Sequence, residues 1–334
     1  MLLRFDISKA VDPTQPFASF LMSLLNPVDI PATTDIIFQL EPSEDSQEVA
    51  FPLHRFILAA RSEYLRKNLE SCWIGKRSVK MTSKVHPRSI ESIIKYIYSG
   101  EAMDPGREYR ENLKFVAETL HVAPEMMELV SATGLPPTAS IRDLRRIEMN
   151  RVQSDFEKFV HHEIIGRQRT VKTEDLENAR EEMSAANPVW SDCLLYLDRE
   201  DGTTTLFYAH IAILTRSEYF LTMFTSPFAE SRTLFEHQET LPLLQLDVDT
   251  DIAPIVLTYL YTDRAEIPPD IALEVLCAAA FLLLPRLKSL AAITLENESD
   301  PLNDFGPADL YEILRAAWLT NTERLEYQIP KFRG

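Results

Sequence analysis

Three blocks of this sequence occur twice, in the same order. The first copy reads Asp35-Ile-Ile-Phe, then His54-Arg-Phe-Ile-Leu-Ala-Ala-Arg61-Ser-Glu-Tyr64, then Lys95-Tyr-Ile-Tyr-Ser-Gly-Glu101. The second reads Asp192-Cys-Leu-Leu-Tyr, then His210-Ile-Ala-Ile-Leu-Thr-Arg216-Ser-Glu-Tyr219, then Thr258-Tyr-Leu-Tyr-Thr-Asp-Arg264. The step is 157 residues from Asp35 to Asp192, 155 from Tyr64 to Tyr219 and 163 from Tyr98 to Tyr261. Short solenoid repeats have periods of roughly 20–50 residues, so a step this long means two duplicated domains. The 334 residues are enough for both. The His210 block is one residue shorter than its counterpart, so the alignment is loosest there.

Both copies follow one order of elements. In the first, short β-rich runs predict strands over 35–40, 49–53 and 79–81, with the acidic stretch 41–48 as a hairpin loop. Apolar residues at helical spacing predict helices over 54–70, 87–99, 112–120 and 124–130, with Gly100 ending the second. The second copy predicts strands over 193–197, 205–209 and 243–246, and helices over 211–224, 253–261 and 271–281. Between the copies, Gly134, Pro136 and Pro137 mark a linker. Residues 141–165 are patterned as a helix, and 175–183 as a second, highly charged one. Phe17, Phe20, Leu21, Leu24 and Leu25 form an amphipathic helix before the first copy.

The order strand, strand, helix opening with His and closing on Arg-Ser, strand, then helix with Tyr-x-Tyr resembles the BTB/POZ fold. Two such units in one chain are similar to the tandem-BTB proteins of the ankyrin-repeat-and-BTB type. So are Leu69-Glu-Ser-Cys-Trp73-Ile-Gly-Lys76 and the run from Val275 through Pro285 to Lys288. The resemblance covers about residues 33–297 and carries no ankyrin repeat, so it implies either a relative without them or a fragment. Residues 307–325 resemble the start of a BACK-type helical extension. The expected class is α/β (α+β), with two BTB/POZ-like domains, a helical linker and a short BACK-like tail. The boundaries are 1–32 for an N-terminal helical extension, 33–130 for the first domain, 131–188 for the linker, 189–297 for the second domain and 298–334 for the tail.

Composition narrows the function. The formal charge of −17 repels phosphate backbones and argues against nucleic acid. Eight glycines, none closer than Gly100 and Gly106, cannot make a phosphate-cradling loop. Three scattered cysteines cannot hold a RING-type zinc pair or a disulfide framework. The adjacent His161 and His162 face different sides of a helix. The longest apolar stretch is too short to cross a bilayer, and the N-terminus lacks a signal-peptide pattern. These readings imply a non-enzymatic protein without cofactors, metal, nucleic-acid or membrane partners, in the cytoplasm and/or nucleus.

The family resemblance implies protein partners. BTB domains recruit cullin scaffolds through a loop of the form apolar-x-Glu after the third helix. Here Phe228-Ala229-Glu230 fits in the second copy, where Tyr219, Met223, Phe224, Phe228 and Glu230 are the cullin-binding candidates. In the first copy Trp73 supplies the apolar group, but Gly75 stands in place of the acid. The resemblance also implies that Asp35 with His54, and Asp192 with His210, are structural, a buried polar pair between first strand and first helix. The implied role is an adaptor bringing an unknown protein substrate to a cullin-RING E3 ubiquitin ligase. The alternative is a BTB scaffold that assembles without cullin. BTB–BTB pairing is expected either within the chain or as a homodimer.

Overall fold

A computed structural model describes residues 16–25, 33–41, 49–134, 138–225, 239–297, 315–316 and 320. The chain divides into two compact units, each mixing helix and sheet. Unit 1 takes residues 1–162 and 188–190, and unit 2 takes 163–187 and 191–334.

Unit 1 opens with α1 (Pro16–Ser23), whose Phe17, Leu21 and Met22 are buried. Strands β1 (Ile36–Leu40) and β2 (Val49–Leu53) pair antiparallel, and β3 (Ser78–Met81) joins β1 in parallel, giving the order β2-β1-β3. The period of two is visible in β1, where Ile36, Phe38 and Leu40 are buried and the residues between them are half-buried. Between β2 and β3 the structure departs from the single helix expected over 54–70. It places α2 (Arg55–Arg61) and α3 (Glu63–Leu69), separated by Ser62. Ser62 is extended (φ −146°), and its hydroxyl accepts from Leu65 N, so it caps a new helix instead of continuing the old one.

α4 (Pro87–Ser99) starts with Pro87 in its first turn and an acceptor from His86, and ends on Gly100 in the left-handed region (φ +75°). α5 (Arg110–Thr119), α6 (Glu125–Ser131) and α7 (Ala139–Phe159) complete the unit. α7 comes from the segment read as a linker. It packs on α2, α4 and α6, and Phe156 stands edge-on to Phe17 at 5.5 Å. A Cβ at Gly100 would lie 2.9 Å from both Glu148 O and Val152 Cγ2 of α7. Gly100→Ala is therefore expected to destabilise unit 1 by about 2 kcal/mol, from the left-handed φ and the collision together. A denaturant titration checks this.

Unit 2 begins inside a π-helical turn, Val160–Ile165, where α7 ends. β4 (Arg169–Lys172) and α8 (Leu176–Ala186) follow. Then come β5 (Cys193–Asp198), β6 (Thr203–Ala209), α9 (Ile211–Leu214), α10 (Glu218–Thr225) and β7 (Leu243–Gln245). The sheet order is β4-β6-β5-β7. β5 and β6 pair antiparallel and β7 joins β5 in parallel, as in unit 1. β4 was not foreseen. It adds antiparallel to the outer edge of β6, where Thr170 and Thr205 share a hydroxyl hydrogen bond at 2.9 Å. Segment 131–188, expected as a helical linker, thus gives α7 to unit 1 and β4 with α8 to unit 2. The helix expected over 211–224 again breaks at its serine, Ser217, between α9 and α10. α11 (Ala253–Thr262), α12 (Ala272–Phe281) and α13 (Pro285–Asn297) close the unit. Of the tail expected as BACK-like helices, 298–334, nearly all lies outside the described residues.

Candidate partner surface

The repeated Arg-Ser-Glu-Tyr sits at the helix break of each unit, and burial of its arginine fixes its surroundings. In unit 1, Arg61 donates to Ile97 O at 2.8 Å and pairs with Asp155 of α7. In unit 2, Arg216 donates to Tyr259 O at 2.8 Å and to Asp263 Oδ1 at 2.6 Å, and lies over the Tyr259 ring. Each guanidinium satisfies carbonyls at the end of the Tyr-x-Tyr helix and needs a carboxylate to compensate its charge. The carboxylate comes from different places. Asp263 occupies the left-handed cap of α11 (φ +63°), the position that Gly100 holds after α4. In unit 1 the cap has no side chain, α7 approaches over it, and α7 brings Asp155.

The tyrosines that follow carry this difference to the surface. Tyr64 stacks on His121 at 4.6 Å, beside a cavity of about 440 Å³ lined by Arg61, Lys67, Arg151 and Asp155 among others. Deeper in, Tyr96 donates to Glu148, and both desolvation and that bond push the Tyr96 hydroxyl far up from its ordinary value. Tyr219, by contrast, packs against Phe281 at 5.1 Å, and the next turn presents Leu283. Phe281 is 45% exposed and Leu283 47%. The same position is thus charged and titratable in unit 1 and aromatic and aliphatic in unit 2.

The residues expected to contact a partner are divided by the structure. Tyr219 is half-buried and edges this surface, and Met223 is half-buried on α10. Phe224 is buried and stacks on Phe220 at 6.2 Å, so it supports α10 from within. Phe228 and Glu230 lie outside the described residues. Phe281 and Leu283 were missed because Leu276–Pro285 reads as one apolar run. Their counterparts Thr119 and His121 are polar, which was the available sign that the position faces outward.

The repeated acids and histidines form anchors at the helix starts. Asp35 Oδ1 accepts from Arg55 N at 2.8 Å, and Asp192 Oδ1 from Ile211 N at 2.6 Å, satisfying the first turns of α2 and α9. Burial pushes the Asp35 carboxyl up to about 6. His54 Nδ1 meets the Tyr98 hydroxyl at 2.9 Å, and His210 Nδ1 meets Tyr261 at 2.7 Å. The acid and the histidine therefore have different main partners, one on the helix backbone and one on the Tyr-x-Tyr helix. Cys193 is fully buried, and burial raises its thiol well above the ordinary range, the opposite of an activated nucleophile. Among the described residues no three His, Cys, Asp or Glu side chains could hold a metal ion, and no helix is long and apolar enough to cross a membrane.

A family model described as BTB/POZ domain matches residues 31–132 and 182–299. BTB/POZ domain-containing protein 3 of Schizosaccharomyces pombe is 32% identical over 99% of this chain and 58% of its own length. An ankyrin repeat-containing protein of Saccharomyces cerevisiae is 29% identical over 99% of this chain and 64% of its own length. The chain thus spans less than two thirds of either relative. The solved BTB domain of zebrafish PATZ1 matches 46% of this chain and 98% of its own, at 17% identity and a TM-score of 0.26.

Proposed function

Because the chain belongs to the BTB/POZ domain family, whose domains bind proteins, we propose that it is an adaptor holding a substrate for a cullin-RING E3 ubiquitin ligase through unit 2. The observation that carries this reading is the exposed pair Phe281 and Leu283, edged by the half-buried Tyr219. It flanks α10, and the chain beyond α10 leads within a few residues to Phe228-Ala229-Glu230. An aromatic anchor filling a partner's pocket, with an acid at its rim, is ordinary hot-spot chemistry. Unit 1 offers charged groups at the equivalent place and Gly75 where the acid would stand, so it takes a different partner. Substrate would be held by unit 1 or by an ankyrin region such as the Saccharomyces cerevisiae relative's name denotes. We place the protein in the cytoplasm and/or nucleus.

The test is binding of a BTB-recruiting cullin N-terminal domain to the full chain. Wild type is expected to bind at micromolar Kd or tighter. Phe228→Ala and Glu230→Lys should each weaken it by about 30-fold or more, the loss of one hot spot of roughly 2 kcal/mol. Absence of wild-type binding at tens of micromolar would leave the scaffold alternative, in which self-association alone persists. A mass measurement then decides between pairing within the chain and pairing between copies.

A further inference from the structure

Leu283 combines two costs. It is a bulky residue in the left-handed region (φ +53°), and it leaves half of its side chain in water. Strain is ordinarily accepted to bury an apolar group or to serve a site, and here the group is not buried. The surrounding bonds hold it in place. Leu284 N donates to Ala279 O at 2.8 Å, closing the end of α12. The buried Ser217 hydroxyl donates to Leu282 O at 2.6 Å, tying the turn to the helix break that bears Tyr219. On the far side, Arg286 pairs with Asp263, which already holds Arg216.

Unit 1 shows what this adds. His121 adopts the same left-handed turn (φ +51°), and Val122 N donates to Ala117 O at 2.9 Å. There the Ser62 hydroxyl accepts from Leu65 N, as Ser217 does from Phe220 N, without the further bond that Ser217 makes to Leu282 O, and Gly100 and Pro124 stand where Asp263 and Arg286 do, so neither tie is formed. The ties accompany the apolar surface and are not required by the turn itself.

We infer that Ser217, Asp263 and Arg286 are positioning residues that hold Leu283 in its strained, exposed conformation beside Phe281 and Tyr219, ready for the partner of unit 2. The inference rests on the adaptor reading. Fixing the turn before the encounter removes the cost of ordering it on binding, and a turn that samples other conformations lowers apparent affinity by the fraction of time it is competent.

The experiment uses the full chain, the cullin N-terminal domain as probe, and three variants read for Kd, melting temperature and amide exchange at 282–284. Leu283→Gly removes both side chain and strain. It should melt at or above the wild-type temperature while binding at least tenfold more weakly, a split that a merely structural residue would not give. Arg286→Ala should speed exchange at 282–284 and weaken binding about tenfold, and Arg286→Lys, which keeps the charge facing Asp263, should restore most of both. Wild-type binding with unchanged affinity in Leu283→Gly and Arg286→Ala would overturn the positioning role and leave the adaptor reading standing. Wild type that does not bind would overturn the adaptor reading, and this inference with it. Unchanged exchange in Arg286→Ala would overturn the tie whatever binds.

Discussion

Phe156→Ala is expected to cost unit 1 about 3–5 kcal/mol, the range for deleting a fully buried aromatic ring. Phe156 has no exposed surface; it meets Phe17 at 5.5 Å and Phe56 at 6.5 Å, both in favourable edge-to-face arrangements. The loss would empty a space shared by α1, α2 and α7, where small side chains cannot fill in. Because the chain holds two units, the loss should separate the melt into two transitions, with the unit 1 transition falling and the other unmoved. Ile147→Ala, on the exposed side of the same helix, is the control and should change stability by no more than about 0.5 kcal/mol. Equal, small effects of both substitutions in calorimetry would mean that α7 is a spacer after all and not part of the core of unit 1.

That result bears on how the sequence could be read. The duplicated order of strands and helices was legible because alternation in β1 and the helical spacing of α4 each express one face buried against a core. The Arg-Ser-Glu-Tyr repeat added a register mark independent of hydropathy. The helix breaks were not legible. Apolar residues keep their spacing across Ser62, since α2 and α3 bury neighbouring faces, and only the extended backbone of Ser62 shows the division. β4 escaped because an edge strand needs little apolar content, and Val171 is its only aliphatic residue. The exposed apolar pair of unit 2 was not legible. Tyr219 at its edge was named from family resemblance, but Phe281 and Leu283 lie in a run whose composition is that of a core. Their exposure depends on what does not pack over them, which periodicity within one segment does not encode.

Asp263→Ala is expected to destabilise unit 2 by about 3–5 kcal/mol, because it strands a buried charge. The Asp263 side chain is 3% exposed and that of Arg216 9%, and the carboxylate also holds Arg286. Alanine would leave the Arg216 guanidinium out of water without the Asp263 carboxylate, and would place at the left-handed cap a residue without Asp's tolerance of that conformation. Asp263→Gly isolates the first effect, since glycine adopts φ +63° freely, as Gly100 does at the matching place in unit 1. It should recover only the conformational part, about 1 kcal/mol. Adding Arg216→Met should then recover more, because removing both charges is far cheaper than removing one. Recovery would stay incomplete, since the Tyr259 and Leu260 carbonyls lose their donor. A coupling energy near zero in this double-mutant cycle would contradict the account, because it would mean that Arg216 does not depend on Asp263. In unit 1, where Asp155 arrives on α7, the same cycle on Arg61 and Asp155 should show coupling of the same sign, and disruption of α7 by Phe156→Ala should reduce it.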